Sequence, residues 1–259
     1  MRTAEFLLWA ESRWPAELAE TWDNPGLITG DLDQNHDRVL LSVDITFEVL
    51  EQAIAEKCSL IVAHHPLLLG GIETIREDLY KGKLLALAIR NDVSLFAAHT
   101  NADVVKNGVS EALAKAIGLK NLTALNGMET GHGRVGAIDK TTLSALVEHL
   151  GSVLPKTNRG ISYIGNQDQS IEKVALVAGS GMGFADSVDA DVFITSDVKH
   201  HPALDFKQQA TIRSQSLVEI SHFAAESVWL EVAAEEIRGL GLEAIISSVN
   251  TDPWDGNLK

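Results

Sequence analysis

Leu60-Ile61-Val62-Ala63-His64-His65-Pro66 is the stretch whose reading decides the fold. Its first four residues form an apolar run of strand length, and the run delivers two histidines at its end. Successive strand residues point to opposite faces, so two histidines in mid-strand would diverge. At the C-terminal end the chain turns, and both can face one crevice. Pro66 supports an end at this point, because it biases His65 toward extended backbone and cannot donate to a ladder. A histidine pair that closes a strand with ordinary hydrogen bonds is the competing reading, and the pair alone does not choose between them.

Working outward, Val39 to Asp44 reads as a strand, Glu48 to Lys57 as a helix, Leu84 to Asn91 as a helix and Ser94 to Ala98 as a strand that runs into His99-Thr100-Asn101-Ala102-Asp103. Strand-length apolar runs alternating with helical patterns indicate α/β units and largely parallel sheets. A weak repeat appears in the second half. The distance from Val39 to His64 is 25 residues, and Val174 to His200 in Lys199-His200-His201-Pro202 is 26. Chance agreement of two common modules and two related α/β domains both explain this.

Ile161 to Gln169 reads as a strand and a polar turn, Thr141 to Leu150 as a helix and Lys173 to Val177 as a buried strand. Asn121 to Arg134, rich in Asn, Gly and Thr, is the expected crossover between domains. Ser221 is the expected N-cap of a helix whose apolar positions run from Phe223 to Ile237, where Gly239-Leu240-Gly241 stops it, and Leu242 to Val249 is the last strand. The expected architecture is two interlinked α/β domains with mixed sheets flanked by helices, and a metal site at the C-terminal ends of strands. The discontinuous first domain is expected to take residues 1–125 and 221–259, and the second residues 126–220.

Composition narrows the function. The formal charge of -15 speaks against a duplex nucleic-acid partner, because phosphate neutralisation needs clustered Lys and Arg. A single cysteine, Cys58, leaves no thiolate cluster, so a metal here must use nitrogen and oxygen. The apolar run Phe6 to Ala10 is short and flanked by Glu5 and Glu11, unlike a signal peptide, and no segment approaches the ~20 apolar residues of a membrane span. A soluble, cytoplasmic protein is the expectation.

Several groups offer ligands or catalytic side chains. His222 and Glu226 lie four apart on the expected helix and hence on one face, beside apolar neighbours. Asp103 and His99 follow a strand, where α/β proteins place ligand-binding loops, although a turn built from Asn and Asp gives the same pattern. Gly179-Ser180-Gly181-Met182-Gly183 follows a strand, and its amides could cradle a phosphate, but it lacks the dinucleotide spacing and reads equally as a tight connection. Asp197 and His201 also follow a strand and are candidates for acid, base or substrate contacts.

In order, Trp22-Asp23-Asn24-Pro25-Gly26-Leu27, Ala63-His64-His65-Pro66, His99-Thr100-Asn101-Ala102-Asp103, Gly179-Ser180-Gly181, Thr195-Ser196-Asp197-Val198-Lys199-His200-His201 and Ser221-His222-Phe223-Ala224-Ala225-Glu226 resemble the GTP cyclohydrolase 1 type 2 family. Its members are dinuclear-metal proteins also called interacting-factor-3-like, and this chain resembles the short form. It departs from the family pattern at Ser196, where a glycine is usual, and at Ile220-Ser221. The resemblance implies two divalent ions, zinc, manganese or iron. His65 and Asp103 would serve one, His64 and His222 the other, and Glu226 would bridge them, as two metals about 3.5–4 Å apart require. It further implies a homo-oligomer, a hexameric ring, and a small-molecule, nucleotide-like substrate. The named candidate reaction is GTP cyclohydrolysis, in which activated water adds to C8 of the purine and ring opening releases formate. His99, His201 and Asp197 are the candidate catalytic residues, and Gly179, Ser180 and Gly181 the candidate substrate contacts. A phosphoester or amide hydrolase on the same centre and a non-catalytic metal-binding assembly protein are the alternatives.

Overall fold

The structure, a computed structural model, describes residues 1–258. In chain order the first elements are α1 (Thr3–Arg13), β1 (Gly26–Thr29), β2 (Arg38–Ser42), α2 (Phe47–Ala55), β3 (Leu60–Ala63), α3 (Tyr80–Arg90), β4 (Ser94–Ala97) and the single turn α4 (Thr100–Asp103). Next come α5 (Val109–Ala116), β5 (Lys120–Thr123), β6 (Arg134–Thr142), α6 (Leu143–Val153), β7 (Ser162–Ile164), β8 (Ser170–Leu176), β9 (Val192–Thr195), α7 (His200–Arg213) and β10 (Ser216–Glu219). The chain closes with α8 (His222–Ser227), α9 (Trp229–Arg238) and β11 (Glu243–Ile246). No helix among the described residues is long and apolar enough to cross a membrane.

The chain divides into two compact units, one of Met1–Val105 with Leu230–Thr251, the other of Lys106–Trp229 with the residues from Asp252 onward. The first unit holds a sheet of order β1-β4-β3-β2-β11, parallel throughout except for β1 against β4. Its central strands are buried along their whole length, which is why they read as unbroken apolar runs rather than alternating ones. Leu40, Ile61 and Leu95 pack with Val49, Leu50 and Ala53 of α2 and with Leu84, Leu85 and Ala88 of α3. Phe96 turns to the opposite face and meets Phe6 of α1 edge-on, with ring centroids 5.3 Å apart.

The second unit holds a mixed sheet of order β5-β6-β8-β9-β10-β7, in which β8, β9 and β10 are parallel and the outer pairings antiparallel. Ala175, Phe193 and Leu217, from those three strands, pack with Phe206 of α7. The two sheets share one topological core. In each, three parallel strands follow one another in the chain, and an earlier antiparallel strand pairs with the last of them, giving β1-β4-β3-β2 and β7-β10-β9-β8. The repeat read from sequence therefore has a structural counterpart, β2 matching β8 and β3 matching β9. The histidine pairs differ in setting, since His64-His65 directly follow β3 whereas His200-His201 open α7.

Two sequence expectations shift. The Asn121 to Arg134 stretch is not a crossover: Lys120–Thr123 is β5, which forms a hairpin with β6 inside the second unit. Asn- and Gly-rich composition marks a turn but does not tell a hairpin turn from a linker. The second unit thus begins at Lys106 rather than 126 and retains α8, while the return to the first unit begins at Leu230 rather than 221. The long helix expected from Ser221 is also two helices, α8 and α9, separated at Val228.

Candidate metal-binding site

The parallel strands of each unit end at one edge of the sheet, and there the chemistry collects. In the first unit β2 leads to Asp44, β3 to His64 and His65, and β4 to His99 and Asp103. β1 runs the other way, with Gly26 opposite Ala97, so the preceding Asp23 arrives at the same edge. A ligand nitrogen from each of His64, His65 and His99 lies within 4.8 Å of the others. Asp103 Oδ1 is 3.8 Å from His64 Nε2.

Each of these histidines is held at Nδ1. The His64 Nδ1–H donates to the Ala98 carbonyl oxygen at 2.9 Å; that oxygen can only accept, so the lone pair of the ring sits on Nε2. His65 Nδ1 is 2.8 Å from Asp44 Oδ1, and His99 Nδ1 is 2.7 Å from Asp23 Oδ1. The Asp23 side chain is fully buried and its second oxygen accepts from the Thr100 amide and hydroxyl. Burial alone would raise its pKa, but the hydrogen bonds from His99 and Thr100 outweigh it and hold the carboxyl well below the usual range. Asp44 is secured in turn by the Thr251 hydroxyl, which donates to Oδ2 at 2.5 Å.

The second unit repeats the logic with one histidine. β10 leads to Ser221, whose side chain accepts from the Ala224 amide and caps α8, as the sequence indicates. Ser221 also hydrogen-bonds Asp252 Oδ1 at 2.6 Å. His222 and Glu226 project from one face of α8, with Nε2 2.7 Å from Glu226 Oε1, and Glu226 is buried. His222 Nδ1 is 2.6 Å from Asp197 Oδ2, with Asp197 at φ 54 in the tight turn after β9. The His222 hydrogen bond, followed by burial as an opposing influence, leaves the Asp197 pKa lowered. For His222, burial disfavours the imidazolium, yet Glu226 and Asp197 on either side push the pKa up to about 11. Two carboxylates on one imidazole call for a cation, and a divalent ion at Nε2 would answer the same charge as the proton.

Gly179, at the end of β8, has φ +77, and a Cβ there would lie 2.5 Å from Glu226 Oε1 and 3.2 Å from His222 Nε2. The missing side chain makes room for the ligand pair. The neighbouring Gly181 amide donates to Thr195 Oγ1 at 2.8 Å, and Met182–Ser187 is a 3₁₀ turn rather than an α-helix. The Gly179-Ser180-Gly181 turn is thus tied to β9 and lies against the ligand pair. His201 lies exposed in the first turn of α7 with its ring against His200. Asp197 is placed against the His222 ring.

The sequence points to the imidazoles and to Asp197, but not to Asp44 and Asp23 as the groups that aim His65 and His99. The available signal is their place: Asp44 lies just after one strand and Asp23 just before another, and the neighbouring strands end in histidine. In each unit the imidazoles are anchored at Nδ1 by carbonyl or carboxylate, with Asp103 beside them in the first and Glu226 in the second, and these are donors of the kind that borderline divalent metals take.

Fold and donor set together define a two-unit α/β protein with histidine–carboxylate ligand groups at the strand ends. The chain belongs to the Duf34/NIF3 (NGG1p interacting factor 3) family, which it matches over residues 1–253. A relative from Streptomyces coelicolor named GTP cyclohydrolase 1 type 2 homolog is 34% identical, over 99% of this chain and 95% of its own length. A Staphylococcus aureus hypothetical protein of known crystal structure superposes with a TM-score of 0.89 at 29% identity, covering 99% of both chains. Reduced HcgD from Methanocaldococcus jannaschii superposes with a TM-score of 0.81 at 27% identity, over 96% of this chain and 98% of its own.

Proposed function

We propose that this protein is a dinuclear metal-dependent hydrolase acting on a nucleotide-like substrate, with GTP ring opening and formate release as the candidate reaction. The observation that carries the metal reading is the anchoring of His64, His65 and His222 at Nδ1, which directs each Nε2 outward as ligands require. His64, His65, Asp103, His222 and Glu226 are the proposed ligands of two divalent ions, with Glu226 shared. Bound ions would supply a water of lowered pKa and stabilise developing negative charge. His99 is the proposed proton carrier: Asp23 fixes its Nδ1, so Nε2 is the atom that accepts and returns the proton. Asp197 orients His222. The substrate class comes from the names of the relatives, and the hexameric ring from family resemblance; mass photometry tests the latter.

Elemental analysis of protein purified without added metal tests the ligand set, and Glu226→Ala should lower the metal content; unchanged stoichiometry would sink the bridging role. Formate release from GTP by metal-loaded protein supports the reaction. Phosphate release alone would favour a phosphoester hydrolase, for which the Gly181 amide, already bonded to Thr195, offers little. No turnover would leave a metal-binding assembly protein.

A further inference from the structure

The second unit contains a cleft of about 360 Å³ between the last turn of α6, the segment 154–161 and the first turn of α8. Val147, Leu150, Leu154, Ile161, Ile220 and Ala224 give it an apolar wall. A volume of this size is at the lower end of small-molecule sites, which run from about 300 to 1,000 Å³. The cleft does not stand alone. It shares Gly160, Ile220 and Ser221 with the polar recess around His222. That recess is lined by the carboxylates of Asp197, Glu219 and Asp252 and by one guanidinium, Arg159, which lies 3.6 Å from Glu219 and 5.3 Å from the centroid of the half-exposed Trp254 ring. Three carboxylates face two cations there, Arg159 and the His222 imidazolium, so the polar end keeps an excess of negative charge suited to a positive group.

Gly151 is the second observation. It occupies the last turn of α6, where glycine costs up to about 1 kcal/mol relative to alanine. Its φ needs no glycine, and a Cβ there would meet nothing closer than Ile161 Cδ1 at 3.9 Å, across the cleft. Neither backbone nor packing therefore excludes a side chain. What glycine preserves at this position is the opening.

We propose that this cleft receives the apolar group, of aryl or branched-alkyl size, of a small molecule whose amine end is held in the acidic recess beside His222. The inference goes beyond the hydrolase reading and does not require it: the apolar walls contain none of the proposed metal ligands, and only His222 of that set borders the recess.

Calorimetric titration of the full-length protein with 2-phenylethylamine and with 3-phenylpropionate tests it. The amine should bind about fivefold more tightly than the acid, the worth of one solvent-screened ion pair. Methyl resonances of Leu154, Ile161 and Ile220 should shift on its addition. Gly151→Leu, whose side chain would cross the cleft, should weaken amine binding about tenfold or more, while Gly151→Ala should leave it within about twofold. Preference for the acid, undiminished binding by Gly151→Leu, or no saturable binding at millimolar amine would overturn the proposal. Should Gly151→Leu not fold, the methyl shifts of the unsubstituted protein decide the matter: shifts elsewhere and not at these three residues would refute it. Loss of turnover bears on the hydrolase reading alone, and the titrations are run with and without added zinc because His222 borders the recess.

Discussion

Replacing Gly179 by alanine should disable the ligand pair on α8, and a matched control separates that effect from backbone strain. Gly179 and Gly118 both lie in the second unit at nearly the same positive φ, +77 and +83. Alanine at either site therefore bears a similar left-handed cost, about 1–2 kcal/mol. At Gly118 a Cβ would meet nothing within 4 Å, whereas at Gly179 it would lie 2.5 Å from Glu226 Oε1, below the 3.0 Å that real contacts respect. The carboxylate must retreat by about 0.5 Å or more, beyond the tolerance of about 0.2 Å within which metal–ligand distances are set. Disturbing the support of a ligand typically lowers metal affinity about 10–100-fold, or about 1.4–2.7 kcal/mol. Zinc affinity measured by chelator competition should thus fall by at least about tenfold in Gly179→Ala and stay within about twofold in Gly118→Ala. Both variants should lose comparable stability in urea once stripped of metal, with a further loss in Gly179→Ala from displaced Glu226. Equal zinc affinity in the two variants would refute the claim that Gly179 is there for Glu226.

Other outcomes follow from groups already described. In metal-free protein the His222 pKa is raised from 6.5 to about 11, so its stabilisation is fully present below pH 6.5 and is lost as pH rises toward 11. Unfolding free energy should decline across that window, by up to about 1.4 kcal/mol per pH unit before solvent screening, and zinc affinity should rise as the proton becomes easier to displace. Asp197→Asn removes one of the two carboxylates, so imidazole NMR signals of His222 should titrate at lower pH and zinc should bind about 10–100-fold more weakly. Ser196 is fully buried, and its hydroxyl has no hydrogen-bond partner among the described residues; Ser196→Ala should raise stability by about 1 kcal/mol in urea unfolding. Burial pushes the Cys58 thiol up to about 11, so it should resist iodoacetamide in the native protein and react once the chain is unfolded.

The imidazoles were legible because their setting is local: an apolar run, two histidines and a proline give a strand and its end in seven consecutive residues. His222 and Glu226 were legible because the helical period puts them on one face. The groups that hold the rings were not legible as such, although Asp197 stood out as a candidate acid or base. Asp23 is 76 residues from His99, Asp44 is 21 from His65 and Asp197 is 25 from His222, and only strand pairing, antiparallel for the first and parallel for the other two, turns those separations into contacts of 2.6–2.8 Å. The order of three parallel strands and an antiparallel neighbour was half visible in the repeated spacing. The hairpin of β5 and β6 was hidden, because an Asn- and Gly-rich turn looks the same whether its flanks pair or part.

Thr251 and Asp252 are adjacent in sequence, yet Thr251 secures Asp44 in the first unit and Asp252 hydrogen-bonds Ser221 in the second. Chain tails outside regular structure ordinarily accept added or lost residues with little penalty. Here removal of the tail beyond β11 would strip the hydroxyl from Asp44, the carboxylate behind His65, and the partner of the α8 cap Ser221. The tail is therefore a working part of both histidine anchorages, and its truncation should cost more than its lack of regular structure suggests.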